Sequence, residues 1–290
     1  MNRRNFLKLS SLGAGTIAFA NSLPLCSIFA KENLSQSKKA DLKLTVQTWS
    51  FRLFDIDEGI RKTKQAGVKF VEIAGSIRIK GENKRAVAMT AEERKWFLAI
   101  AEENQVQAIS VGGNKGTRQE FDFAAELGLT VMQGEPDFER LVEVSKLAEE
   151  YKIRFALHNH AKPNRYWNYK ETLKRLDGCS PWLGFCPDTG HFARSGIDPL
   201  TVVKDLKGRI VSIHLKDLND VNTQDGEKKD LHDVIWGTGK GQVEAIIHEL
   251  VEQKVQAPII IEYEYKWEDN VKEITECAKY FHNIVPDAAK

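Results

Sequence analysis

Four apolar runs in this sequence each end on side chains that can ligate a cation. Leu183-Gly184-Phe185-Cys186 leads into Pro187-Asp188-Thr189-Gly190-His191, where a carboxylate and an imidazole stand three residues apart beside a glycine that permits a tight turn. Ala156-Leu157 leads into His158-Asn159-His160, Ser212-Ile213 into His214-Leu215-Lys216-Asp217, and Ile259-Ile260-Ile261 into Glu262-Tyr263-Glu264. Runs without alternation suit strands covered on both faces, and Pro187 ends regular pairing. The pattern therefore sets His158, Asp188, His214 and Glu262 at the same ends of four successive strands. Two imidazoles and two carboxylates are a borderline-to-hard donor set. They suit one divalent ion, Mn²⁺, Co²⁺, Zn²⁺ or Mg²⁺, without choosing among them.

Something must hold four strand ends together, and the rest of the chain supplies it. Switching periodicity reads as eight strand-then-helix units. Strands are expected over 43–51, 69–74, 107–111, 130–133, 154–157, 183–186, 210–213 and 258–261. Helices are expected over 56–65, 90–104, 118–127, a stretch ending at Tyr151, 170–176, 199–206, 243–253 and 271–281. Thr90 with Glu93 forms a capping box for the second helix. The segments 75–89 and 220–241 read as loops. No phosphate-binding glycine fingerprint follows the first strand, as a doubly wound sheet would require. The fold class expected is α/β, a single (β/α)8 barrel over residues 43–290, with the ligand-type residues at its C-terminal mouth, where neighbouring strands about 4.8 Å apart let side chains converge.

The amino end reads differently. Arg3-Arg4-Asn5-Phe6-Leu7-Lys8 followed by an uncharged stretch from Leu9 to Ala30 is read as a twin-arginine export signal over residues 1–30, with cleavage after Ala20 or Ala30. Gly13, Gly15, Asn21 and Pro24 weaken it as a membrane span, and Leu25 before Cys26 disfavours a lipoprotein site. Residues 31–42 read as a polar linker. A periplasmic or otherwise exported protein without a membrane anchor after cleavage is expected. Beyond the leader, Cys179, Cys186 and Cys277 imply no disulfide framework and read as small buried residues. The net charge of +1, with acids and bases interspersed, is no nucleic-acid footprint.

The motifs Pro-Asp-Thr-Gly-His, His-Leu-Lys-Asp and Ile-Glu-Tyr-Glu resemble those of the xylose isomerase-like TIM-barrel superfamily, the sugar phosphate isomerase/epimerase group, which also holds dehydratases. The resemblance implies that Asp188, His214 and Glu262 bind a metal and that His191 touches substrate oxygens. Many members carry a glutamate where this chain has His158, a ligand and one of two opposed bases in the epimerases. An imidazole still ligates, but once coordinated it is no free base. Glu135, after the fourth strand, is then a candidate ligand or acid/base, or simply an acid favoured by a helix N-terminus.

Such a site suits proton abstraction beside a carbonyl, through an enediolate of a small carbohydrate. Glu262 or His160 would move the proton, and His191 with Lys216 would hold oxygens; alternatively Lys216 pairs with Asp217 or Asp220 at the surface. Trp49 and Phe51 would wall a sugar ring or pack in the core, and Trp236 in the 220–241 loop would cover the site or cap the barrel. The leading expectation is a metal-dependent sugar isomerase or epimerase. A lyase acting on a 3-keto-glycoside and a non-catalytic periplasmic carbohydrate-binding barrel are the alternatives. A multi-zinc endonuclease of similar barrel is disfavoured, because no histidine precedes His158. Oligomeric state stays open, a homo-oligomer included.

Overall fold

The computed structural model describes residues 39–222 and 230–285; the expected export signal, its cleavage points and most of the linker lie outside them. From the amino end the chain runs β1 (Asp41–Gln47), α1 (Ile56–Gln65), β2 (Phe70–Ile73), a hairpin of β3 (Ser76–Ile79) and β4 (Glu82–Arg85), α2 (Ala91–Glu103), β5 (Gln107–Asn114) and α3 (Arg118–Glu126). Then come β6 (Val131–Gly134), α4 (Leu141–Tyr151), β7 (Arg154–His158), α5 (Tyr169–Arg175), β8 (Leu183–Cys186), α6 (Thr189–Arg194) and α7 (Pro199–Asp205). The last part holds β9 (Ile213–Leu215), the short strands β10 (Asp217–Leu218) and β11 (Asp233–Val234), α8 (Val243–Glu252), β12 (Gln256–Ile261) and α9 (Val271–Ile284). No described helix is long and apolar enough to cross a membrane.

Eight strands pair in the order β8-β7-β6-β5-β2-β1-β12-β9, and the ladders between them are parallel. Bridges from Phe185 to Ile210 and from Asp188 to His214 join the two ends. This is the (β/α)8 barrel expected from periodicity. Its main apolar core lies between strands and helices, with Ile60, Phe121, Phe155, Ile246 and Phe281 at or near zero exposure. Val131, Ala156, Cys186 and Val211 form a separate small cluster. By strand alternation Val131, Ala156 and Cys186 face the same side as Gln133, His158 and Asp188, one step further from the mouth. The capping box on α2 is present: the Glu93 N–H donates to Thr90 Oγ1 at 3.2 Å and the Thr90 N–H to Glu93 Oε2 at 2.8 Å. Cys179, Cys186 and Cys277 are buried free thiols.

Four departures from the sequence reading bear on the site. The first strand stops at Gln47, and Thr48–Phe51 turns into a 3-10 segment, so Trp49 and Phe51 do not share the side of an extended strand. The segment 75–89, expected as loop, holds the β3–β4 hairpin, whose alternating Ile77 and Ile79 are buried and whose turn uses Lys80 and Gly81 at positive φ. Thr189–Arg194, where Gly190 is expected to permit a tight turn and no helix is expected, is a helix with Asp188 as its N-cap. In the region 220–241, β11 pairs with β10, and Trp236 is 2% exposed with its N–H directed at Cys277 Sγ. Trp236 is a core residue rather than a lid, because the β10–β11 ladder carries it under the barrel rim.

Barrel closure is irregular where β8 meets β9. Phe185 exchanges backbone bonds across the gap, its N–H to the Arg209 carbonyl at 2.7 Å and its carbonyl with the Val211 N–H at 2.8 Å. Pro187 has no N–H to give, and its carbonyl accepts from His214 at 3.1 Å. Beyond it a side chain continues the ladder: Thr189 Oγ1 accepts the Lys216 N–H at 2.8 Å and lies 3.3 Å from the His214 carbonyl, to which it can donate. Close approach here demands Gly184, since a Cβ would stand 2.3 Å from the Arg209 carbonyl oxygen. Gly184→Ala is expected to lower unfolding free energy by about 1–3 kcal/mol, the usual cost of overpacking, read as the urea midpoint. An unchanged midpoint would show that the seam relaxes freely.

Candidate metal centre and substrate cleft

His158 ends β7, Asp188 caps α6, His214 sits in β9 and Glu262 follows β12. One donor atom from each lies within 4.8 Å of the others, a group able to hold a metal ion. Asp188 divides its carboxylate between two tasks. Oδ1 accepts the His191 N–H at 2.8 Å and so starts α6, while Oδ2 faces the group, 3.6 Å from His158 Nε2 and 3.7 Å from His214 Nδ1. His158 Nε2 and Asp188 Oδ2 are both buried without a hydrogen-bond partner. Hydrogen bonds close at about 2.7–3.2 Å, whereas two donors on one tetrahedral ion, each near 2.1 Å, stand roughly 3.4 Å apart. The spacing of the two atoms fits a shared divalent ion.

A positive charge is already built in beside them. Lys216 is 2% exposed, with Nζ 2.8 Å from Glu262 Oε2, 2.5 Å from Glu264 Oε2 and 3.2 Å from Asp188 Oδ2. Its route to that position passes Gly190, where a Cβ would meet Lys216 Cδ at 2.7 Å. So Lys216 does not pair with Asp217 or Asp220 at the surface. Asp217 instead accepts the N–H groups of Gly237, Gly239 and Gly241. Burial opposes every charge here, but the three carboxylates hold Lys216 well above its ordinary range. In turn Lys216 and the surrounding imidazoles hold Asp188 and Glu262 well below theirs.

The floor of the site carries residues that the sequence reading did not single out. Glu72, fully buried on β2, has Oε1 2.9 Å from His214 Nε2 and accepts from Gln47 at 2.7 Å and from Gln133. A carboxylate on Nε2 fixes the ring so that Nδ1 faces Asp188 and Glu262, as buried partners of metal-binding imidazoles commonly do. The signal was present in Val71-Glu72-Ile73, a lone charge inside an apolar strand.

His160 and Glu135 form a second pair nearer the mouth, Nδ1 against Oε1, and His158 Nδ1 lies 3.9 Å from the same oxygen. Burial works against the Glu135 charge, yet the two imidazoles hold it below the usual carboxylate range. His191 lines the same cleft, and burial pushes its pKa down to about 3, so it is neutral. The cleft measures about 540 Å³ and is also lined by Trp49, whose indole N–H donates to Glu264 at 3.3 Å. Phe51 is elsewhere: it is 1% exposed against Gly59, because the 3-10 turn points it into the core. The structure thus brings together His158, Asp188, His214, Glu262, Lys216, His191, His160, Glu135 and Trp49, and leaves Phe51 and Trp236 outside.

Titration with Mn²⁺ or Zn²⁺ followed by elemental analysis should give one ion per chain. His158→Ala should abolish stoichiometric binding and leave circular dichroism unchanged. His214→Ala should do the same at a further cost of about 3–5 kcal/mol in stability, because Glu72 then loses its charged partner. Full occupancy in either variant would refute the ligand assignment.

Comparison with known proteins agrees with this geometry. A family model described as the xylose isomerase-like TIM barrel matches residues 60–281. Among solved structures the chain is similar to an uncharacterised protein of Parabacteroides distasonis, with 27% identity and a TM-score of 0.65 over 84% of this chain and 99% of that one. A sugar phosphate isomerase/epimerase of the same species shows 18% identity and a TM-score of 0.59 over 88% and 97%. A xylose isomerase-like TIM barrel protein of Mycobacterium smegmatis in complex with magnesium shows 12% identity and a TM-score of 0.70 over 86% and 98%. At such identities the last two likenesses bear on the fold alone. No curated protein sequence matches significantly. The family match spans well over half of the chain, which therefore belongs to the xylose isomerase-like TIM barrel family.

Proposed function

We propose that this protein is a divalent-metal-dependent isomerase or epimerase of a keto-sugar, working by proton transfer at the carbon beside the carbonyl. The observation that carries the reading is the convergence of His158, Asp188, His214 and Glu262 on one point beside the open cleft, with His158 Nε2 buried and without a hydrogen-bond partner. A bound divalent ion supplies Lewis acidity toward a carbonyl and its neighbouring hydroxyl. Everything else falls to the chain.

Glu262 is tied to His214 at 2.9 Å and to Lys216 at 2.8 Å. A carboxylate held that low is a good ligand and a weak base. His160 is freer. Its Nδ1–H given to Glu135 leaves Nε2 as an acceptor, the arrangement by which a carboxylate orients a catalytic imidazole. We assign His160 as the base that takes the α proton and Glu135 as the group that orients it. His191, kept neutral by burial, borders the position of the substrate oxygens, Lys216 acts from beneath through the carboxylates it pairs with, and Trp49 offers a flat face to the ring.

A second reading has its own support. His158 replaces a second carboxylate and Glu262 is engaged, so only the His160–Glu135 side offers a free base. Abstraction from one side followed by loss of a group β to the carbonyl would make the protein a lyase of 3-keto-glycosides. Incubating the metal-loaded protein with ketoses and 3-keto-glycosides in deuterated water distinguishes the two: deuterium at the α carbon of recovered isomer supports the first, an unsaturated product the second. Absence of both across the panel would overturn the catalytic reading. His160→Ala should lose about 10²–10⁴-fold in exchange rate with metal content intact, whereas Glu262→Gln should lose metal as well. We also propose export through the Arg3-Arg4 signal. Replacing both arginines by lysine should leave the precursor inside the cell, and normal appearance outside it would refute the signal.

A further inference from the structure

The cleft is electrostatically two-sided, and the topology says why. Around the barrel the strands follow one another as β1, β2, β5, β6, β7, β8, β9 and β12. Ligand-type residues come from the ends of β7, β8, β9 and β12, with Glu135 after β6. The segments after the other three strands bring Arg52, Arg85 and Lys115, all lining the same cleft. In a ring of eight, β1, β2 and β5 stand diametrically across from β7, β8 and β9. A substrate held at the metal centre therefore extends toward three cations.

Two of these cations are anchored by other groups. Arg85 donates to Glu120 at 2.9 Å, a carboxylate 3% exposed that also caps α3, and to the Gly113 carbonyl at 3.2 Å. Lys115 Nζ donates to the Glu135 carbonyl at 3.0 Å. Arg52 is held in another way. Its guanidinium sits 3.5 Å from the Trp267 ring centroid and 5.0 Å from that of Trp49, and no carboxylate among the described residues pairs with it. Stacking fixes the guanidinium plane while leaving its in-plane N–H fork free, the form in which arginine recognises planar or tetrahedral oxyanions.

We propose that this half of the cleft is an anion subsite, and that the substrate is a keto-sugar carrying a carboxylate or phosphate at the end remote from its carbonyl. The keto-sugar part rests on the function proposed above; the subsite itself rests on Arg52 and its neighbours. On the metal half Glu262 and Glu264 are already paired with Lys216, and Glu135 faces the cleft as a further anion. The same polarity thus orients the substrate, carbonyl toward the ligands and anion toward Arg52.

The test is calorimetric titration of the Mn²⁺-loaded protein with D-fructose, 5-keto-D-gluconate, D-fructose 6-phosphate and inorganic phosphate. At low salt, one of the two anionic sugars should bind roughly tenfold or more tightly than fructose, as a charge-assisted hydrogen bond allows, and the advantage should shrink as salt is raised. Which of them gains tells a carboxylate from a phosphate. Arg52→Gln should collapse the ratio of anionic to neutral affinity, and Arg85→Gln should reduce it, with circular dichroism unchanged in both. If no sugar binds but inorganic phosphate does so in an Arg52-dependent way, the subsite stands and the keto-sugar reading falls. Equal affinities for fructose and both anionic sugars, a ratio unaffected by Arg52→Gln, or no binding of any probe would overturn the proposal.

Discussion

A buried ammonium persists only among anions, and Lys216 lies within 3.2 Å of oxygens from Asp188, Glu262 and Glu264. Much of the local structure serves that contact. Gly190 leaves room for the lysine stem. Thr189 binds the Lys216 backbone, and Asp188 starts the helix that holds Thr189 and Gly190 in place. Trp49 takes the other oxygen of Glu264. The same positive charge keeps the ligand carboxylates ionised at the bottom of a half-enclosed cleft, where burial alone would drive them toward the neutral form.

The metal centre and the closure of the barrel share residues. The bridge between Asp188 and His214 is a seam contact and also joins two candidate ligands. Regular ladder bonds are replaced there by a proline carbonyl and a threonine hydroxyl. The irregularity turns side chains inward that a continuous strand would alternate to the two faces. Chemistry at the mouth and integrity of the sheet therefore draw on the same few residues between Gly184 and Lys216.

Polarity is graded across the cleft. Beneath it, Gln47, Glu72 and Gln133 form a buried polar layer around His214, and beneath that the apolar cluster of Val131, Ala156, Cys186 and Val211 seals the barrel. Above the metal half stands the His160–Glu135 pair; across from it stands the basic half. Such a vessel suits a polyoxygenated substrate with distinct ends better than a uniform apolar ligand.

Element order, barrel class and four ligand-type strand ends were legible in the residues themselves. Apolar strand runs, capping boxes and glycine punctuation act within a few positions of one another, so local order reveals them: α1 and β8 begin and end where the periodicity placed them. Two of the departures arose where distant segments decide. Phe51 left the cleft because the chain turns after Gln47 to let the Asn270 side chain donate to the Ser50 carbonyl and the Tyr263 N–H donate to the Ser50 hydroxyl. Trp236 went to the core because β11 pairs back onto β10. Glu72 and Lys216 took their roles only when partners 142 and 48 residues away in the chain came within hydrogen-bonding reach. The sequence by itself thus determined which residue types stand at the strand ends, since a period-two pattern and its breakers are local. Tertiary structure alone decided which charges are buried together, because pairing of buried ions depends on distances that only barrel closure sets.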